Sequence, residues 1–441
     1  MKSIRQVTAS RPSLERDDGF RPWDHLAQGI GSDDASQAKR SIDDLRIFGG
    51  ACAFPEVLHV GRPNIGDTEA FIGHARAILD SRWLSNNGPY VQEFERRIAE
   101  ACEVPYCIAT SNATAALEIL VHALGLKGEV IVPSFTFIAT AHALKWLGIE
   151  PVFCDVDPLT HTLDPARVEE LITERTTAVL GVHVWGQVCE VDALQDICTR
   201  HGLRLFFDAA HAFGCRQGGR AVGGFGDAEV LSFHATKFIN SFEGGAILTR
   251  DPELAKRARL MRNFGFEYLD SVVSLGINAK MTEICAAMGL VSLDGMEGFM
   301  RINRANHLAY QRGLAGIRGL SVHALASQEA SNHQYVVVEV DEPVLGLSRD
   351  QLLEVLMAEG VLARRYFHPG CHRMEPYRSQ PQHRDRELPV TERLSKSLLQ
   401  LPTGQEMTPK DIEVVCALIQ FVAGEVSSIR ARLAAGTGEI A

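Results

Sequence analysis

A chain of 441 residues holds two or three domains' worth of core, and 46% hydrophobic against 22% charged residues is the balance of an ordinary globular protein. The net charge of -11, from 44 Lys+Arg against 55 Asp+Glu, argues against general binding to nucleic acid or anionic membranes, which takes clustered positive charge. No apolar run reaches the roughly 20 residues of a membrane helix, the amino terminus lacks the apolar core of a signal peptide, and the 10 cysteines show no CxxC or zinc spacing; a cytoplasmic protein with free thiols is expected.

In chain order, residues 1–44 are polar and charged and read as an extension carrying at most one helix. Helical spacing follows over Ala70–Leu79, Val91–Ala101 and Ala113–Leu124, then EVIVPS reads as a short buried strand. Ile138–Leu147 is expected as a helix, PVFCDVD and TAVLGVHVW as strands, VDALQDICTRHG as a helix stopped by glycine, and LRLFFDAA as a strand. Strand–helix alternation with continuously apolar strands predicts a large, mostly parallel α/β sheet covered on both faces, over residues 45–297. Beyond it RINRANHLAYQRGLAGI, DQLLEVLMAEG and DIEVVCALIQFV read as helices and NHQYVVVEVD as an antiparallel strand. Residues 298–441 are therefore expected to form a smaller α+β domain.

Ligands of open α/β sheets bind outside the carboxyl ends of the strands, and five predicted strand ends carry polar, aromatic or charged groups. They are Asn112-Ala113-Thr114, Ser134 to Phe137, Gly186-Gln187, Asp208 with His211, and the turn after VLSFHATK. SNATAAL opens a helix with small residues, so its backbone N–H groups can take an anion, although Ser and Thr cap most helices without one. Asp208 and His211, taken alone, are equally consistent with structural pairing. Lys237 stands apart, because burial favours the neutral, nucleophilic amine that forms Schiff bases with aldehydes. A lysine, a carboxylate and a phosphate-cradling turn together point to pyridoxal phosphate, whose ring nitrogen a carboxylate keeps protonated.

The order SNAT, PSFTF, HVWGQ, FFDAAHAFG, SFHATK, EGG, RNFGF and GINAKMTEICAAMGL resembles the DegT/DnrJ/EryC1/StrS sugar aminotransferases, from about Leu45 to the carboxyl terminus. RIFGG, HVGRPNIGD, RWLSNNGP and RRYFHPGCHRMEPYR are most similar to its dTDP-4-dehydro-6-deoxy-D-glucose 4-aminotransferases, which serve deoxyaminosugar pathways of bacterial natural products. The resemblance implies a fold-type I enzyme using pyridoxal 5'-phosphate, with pyridoxamine 5'-phosphate as intermediate, working as a homodimer with shared active sites. It implies that Lys237 is the Schiff-base lysine, that Asp208 pairs with the ring nitrogen, and that His211, where many relatives carry Gln, sits near the 3-oxygen. Phe137 would stack on the ring. The N–H groups of Ala113 (Gly in many relatives) and Thr114, the Ser232 hydroxyl, and Asn278 from the other subunit would hold the phosphate. Lys at 237, which dehydratase relatives replace with His, favours transamination.

The implied substrates are a nucleotide-linked keto-sugar and L-glutamate, giving dTDP-4-amino-4,6-dideoxy-D-glucose and 2-oxoglutarate. Candidate diphosphate contacts are Arg262, Arg364, Arg365, His368 and His372, and candidate sugar contacts are Asn86, Asn87, Gly88 and His333. Amination at C3 of a related sugar, or of a cyclitol ketone, would use the same cofactor residues. A pyridoxal phosphate-binding regulator without turnover is the reading from another class, and residues 1–44 are too short for a convincing DNA-binding module. A nucleotide-binding Rossmann protein would need a GxGxxG after the first strand, which is missing.

Overall fold

The structure is a computed structural model that describes residues 39–325 and 331–436. Most of the extension, residues 1–38, lies outside the described residues; of its end, Ile42–Asp44 form one 3₁₀ turn closed by a Ser41 capping box.

The large domain is built on seven strands: β1 (Tyr106–Thr110), β2 (Glu129–Pro133), β3 (Glu150–Cys154), β4 (Thr176–Val182), β5 (Arg204–Asp208), β6 (Ala228–Ser232) and β7 (Gly245–Thr249). Their order is β1-β7-β6-β5-β4-β2-β3. All pairs are parallel except those of β7, which runs antiparallel to both β1 and β6. Residues 233–244, which join β6 to β7, contain no helix, and the chain returns antiparallel beside β6. β4, β6 and β7 are buried along nearly their whole length, as a sheet covered on both faces requires.

Helices α1 (Thr68–Ser81), α2 (Pro89–Ala101), α3 (Ala113–Ala123), α4 (Ile138–Trp146), α5 (Val191–His201), α6 (Pro252–Arg262) and α7 (Glu283–Asp294) surround this sheet. α2 shows why the pattern was readable. Val91, Phe94 and Ile98 recur at helical spacing and are all buried, each stabilising by roughly 1.5–3 kcal/mol.

Past α8 (Met296–Gly313) the smaller domain holds an antiparallel sheet of β8 (Leu320–Val322), β9 (Val336–Val340) and β10 (Leu398–Leu401). Helices α9 (Arg349–Ala358) and α10 (Pro409–Gly424) pack on it. No single helix among the described residues is long and apolar enough to cross a membrane, and α10 contributes Ile412, Val415, Leu418 and Ile419 to this core.

One expected boundary shifts. Residues 45–59, assigned by chain order to the large domain, pack with the small one. Leu45 and Phe54 join its apolar core, and Leu58–His59 pairs in parallel with Val361–Leu362. The reason is the buried Glu359 carboxylate, which accepts from the N–H groups of Arg46 (2.7 Å) and Ala53 (2.8 Å) and pairs with Lys39 Nζ (2.9 Å).

Candidate active site

A cavity of about 320 Å³ opens at the carboxyl ends of β1, β2, β4, β5 and β6. Because β7 runs the other way, its start, Gly244–Gly245, reaches the same edge. Tyr335, Gln334, Arg364, Tyr366 and Thr403 close the cavity from the small domain.

At one end, Asn112 caps α3, and its side chain accepts from the Ala115 N–H at 2.8 Å. That leaves the N–H groups of Ala113 and Thr114 without a partner among the described residues, at the positive end of a helix dipole. Gly245 is needed beside them, since a Cβ there would stand 2.5 Å from Asn112 C and 2.6 Å from Ala113 N. Ser232, the last residue of β6, brings its hydroxyl to the same cavity. Phe137 caps α4 and rims the opening with its ring 57% exposed, an unusual state for a large apolar side chain.

Asp208 ends β5 and is buried. Its Oδ1 accepts from the Ala210 N–H at 3.1 Å, and its Oδ2 accepts from the Thr140 hydroxyl at 2.9 Å. His211, three residues on, lies within a ring cluster of Trp185 and Tyr335, at centroid distances of 5.7 and 4.3 Å. Its Nδ1 is buried without a partner among the described residues. Burial, and then the charge of Lys237, hold its pKa well below the usual histidine value, so the ring is neutral.

Lys237 sits on the loop from β6 to β7, with its backbone fixed by a hydrogen bond to His234 O at 2.8 Å. Its Nζ makes no hydrogen bond or ion pair among the described residues. Burial pulls its pKa down to about 8, against the opposing pull of the Asp208 carboxylate. Near neutral pH a usable fraction of this amine is therefore an unprotonated nucleophile.

The lining thus provides a free amine, a carboxylate with two of its acceptor positions already fixed, an aromatic face, unpaired N–H groups at a helix start, and an orphaned imidazole nitrogen. These fit pyridoxal 5'-phosphate group by group, with Lys237 at the aldehyde, Asp208 at the ring nitrogen and the α3 start at the phosphate.

Other expected residues lie elsewhere. Asn86, Asn87 and Arg262 line a separate pocket of about 150 Å³ with Arg259 and Lys280. Arg262 is committed to Glu95, to Ala109 O at 2.8 Å and to Asn87 Oδ1 at 3.3 Å. Gly88 caps α2 against the Glu283 carboxylate, where a Cβ would lie 2.6 Å away; that carboxylate accepts from the Tyr90 and Val91 N–H groups at 2.9 and 3.1 Å. His333 is buried beside His307. Arg365 pairs with Asp350 at 3.3 Å, and His368 donates through Nδ1 to Ser395 O at 3.2 Å. His372 is enclosed between Ser134 Oγ (2.6 Å) and Glu392 Oε1 (3.2 Å). Of the nine substrate candidates, Arg364 alone lines the main cavity within one chain. Asn278 is exposed, accepting from Lys280 Nζ at 2.7 Å, and does not reach its own chain's cavity.

Two tyrosines of the lining and one residue behind it escaped the sequence reading. Thr140, which contacts Asp208 from outside the cavity lining, stands four residues after Thr136 across a helix start, a spacing that could have flagged it. Tyr335 and Tyr366 arrive from the other domain and carry no local signal.

The chain is 37% identical over 367 residues, 83% of its length and 99% of the relative's, to a dTDP-4-amino-4,6-dideoxy-D-glucose transaminase of Shigella dysenteriae. Among solved structures, DesI in the presence of its TDP-sugar product is similar at a TM-score of 0.85 and 50% identity, covering 89% of this chain and 99% of DesI. NtdA from Bacillus subtilis, with bound cofactor PMP, is similar at 0.74 and 26%, covering 81% and 82%. Residues 66–420 match the DegT/DnrJ/EryC1/StrS aminotransferase family, and with that span, this fold and this cavity the chain belongs to the family as a sugar aminotransferase using pyridoxal 5'-phosphate.

Proposed function

We propose that this enzyme moves the amino group of L-glutamate to C4 of dTDP-4-dehydro-6-deoxy-D-glucose, giving dTDP-4-amino-4,6-dideoxy-D-glucose and 2-oxoglutarate, in the deoxyaminosugar biosynthesis of a natural product. The relatives named above support the substrate. The observation that carries the chemistry is the Lys237 amine, partly buried, unpaired and held near pKa 8 in one cavity with Asp208 and the α3 start.

Pyridoxal 5'-phosphate, when bound, supplies an aldehyde that carries the amino group and a ring that withdraws electrons. The protein's residues do the rest. Lys237 Nζ would hold the cofactor through its aldehyde and, once freed by the donor, would serve as the acid and base that moves the proton of the donor's α-carbon and, in the second half-reaction, that of C4 of the sugar. Asp208 holds the ring nitrogen's proton, and neutral His211 hydrogen-bonds the 3-oxygen. Phe137 covers the ring face. Ala113 N, Thr114 N and Ser232 Oγ bind the phosphate. Arg364 is the cation at the cavity wall for the sugar diphosphate or the donor's carboxylate.

Two copies complete the site in this reading. The hairpin of Phe266–Tyr268 and Ser271–Val272 exposes Tyr268, Leu269, Val272 and Leu275, an apolar face of the kind that subunits cover, and leads directly to Asn278. Asn278 then reaches the phosphate in the partner's cavity. The ten free cysteines suit work in a reducing cytoplasm.

The test is incubation of the loaded protein with glutamate and dTDP-4-dehydro-6-deoxy-D-glucose. One 2-oxoglutarate per aminosugar, with nitrogen at C4 by NMR and loss of turnover in Lys237→Ala, is the expected result. Nitrogen at C3, or turnover retained without Lys237, overturns it.

A further inference from the structure

A carboxylate only accepts, so when Asp208 pairs with a protonated ring nitrogen the hydroxyl of Thr140, 2.9 Å from Oδ2, donates to it. That spends the only proton of Thr140 Oγ1. The Thr136 hydroxyl lies 3.0 Å from the same oxygen and must therefore donate in turn. Thr140 is fully buried and Thr136 nearly so, while Thr136 also lines the cavity. The proton order is thus fixed without ambiguity: Thr136 to Thr140 to the carboxylate. Both donors lie on the segment that turns from β2 into α4, and between them stands Phe137, at the cavity rim.

We propose that Thr140, backed by Thr136, is a positioning residue for the cofactor's ring nitrogen, acting through Asp208. Three consequences follow from the geometry. A donated O–H stabilises the ionised carboxylate, the state that can pair with a protonated ring nitrogen. With Oδ1 held by the Ala210 N–H and Oδ2 by Thr140, the carboxylate cannot rotate about its last bond without breaking a buried hydrogen bond. The chain of hydroxyls also ties β5 to the segment that carries Phe137. The group that meets the ring edge and the group that covers the ring face are therefore set by one piece of backbone, and a shift of one is felt by the other.

The test compares two ligands on the apoprotein: pyridoxal 5'-phosphate and its 1-deaza analogue, which replaces the ring nitrogen with carbon. Wild type prefers the natural cofactor by the strength of the Asp208 contact. Thr140→Val keeps the volume and removes the donor. The expected result is a roughly tenfold fall in that preference, the size of one hydrogen bond to a charged group. Thr140→Ser should restore it, and Thr136→Val should lower it by a smaller factor. An unchanged preference in Thr140→Val overturns the proposal. So does equal weakening toward both ligands, the signature of a residue that serves only the fold. If Thr140→Val does not fold, Thr136→Val decides: an unchanged preference there is likewise contrary. Failure of wild type to bind pyridoxal 5'-phosphate at all would count against the proposed function instead.

Discussion

Lys237 imposes a stability cost that can be measured without substrate. Its pKa falls from 10.5 in the unfolded chain to about 8 in the fold, chiefly through burial. The shift is about 2.5 units, and at 1.36 kcal/mol per unit the protonated amine costs the cofactor-free fold at most about 3 kcal/mol, less whatever solvent reaches this partly exposed side chain. The sign follows from proton counting. Below pH 8 both states hold the proton and the full cost applies. Between pH 8 and 10.5 the unfolded chain binds more proton than the fold, so stability rises with pH; above 10.5 both are neutral and the cost is gone. Lys237→Met deletes the titration while filling the same space. Urea unfolding of the two cofactor-free proteins, from pH 7 to 10.5, should show the variant more stable at pH 7 by 1 to about 3 kcal/mol, with the gap closing as pH rises. Subtracting the two curves removes the thiols and phenols that titrate in both. A gap that stays constant across this range would refute the reasoning, because burial would then not be acting on the charge.

Gly245→Ala should damage cofactor binding more than folding. Its methyl would sit 2.5 Å from a backbone carbon and must push the Asn112–Ala113 turn by about 1 Å, for a stability loss of about 1–3 kcal/mol. We expect at least a tenfold rise in the Kd for pyridoxal 5'-phosphate by absorbance titration, and an unchanged Kd would contradict the role given to that turn. Glu359→Ala strips Arg46, Ala53 and Lys39 of their shared acceptor. The expected loss is about 3–5 kcal/mol in denaturant unfolding, and a loss under about 1 kcal/mol would mean the segment is held by its apolar contacts alone.

What could be read from the sequence divides along a physical line. Strands buried on both faces announce themselves by continuous apolar runs, and a parallel sheet places its functional groups just beyond them. So Asp208, Ser232, Lys237, Ala113 and Phe137 could be picked by position before any contact was known, and all line the cavity. Pairing across distance could not be read. Nothing in GGAILT says that β7 runs backwards between β1 and β6, and nothing in RIFGG names Glu359 as its acceptor. Arg364, Arg365, His368 and His372 read from the sequence as diphosphate contacts. In the fold His372 is buried between Ser134 and Glu392, residues whose proximity only the folded chain establishes.

The clasp at Glu359 also has a meaning for how the enzyme is made. Arg46 and Glu359 are 313 positions apart, so the stretch around Arg46 leaves the ribosome long before its partner exists. At about 5–20 residues per second that wait is roughly 15–60 s. Only a chain translated past Glu359 and strand Val361–Leu362 can close the clasp: a product that ends before them leaves the Arg46 and Ala53 N–H groups without their acceptor and Leu58–His59 without its partner strand.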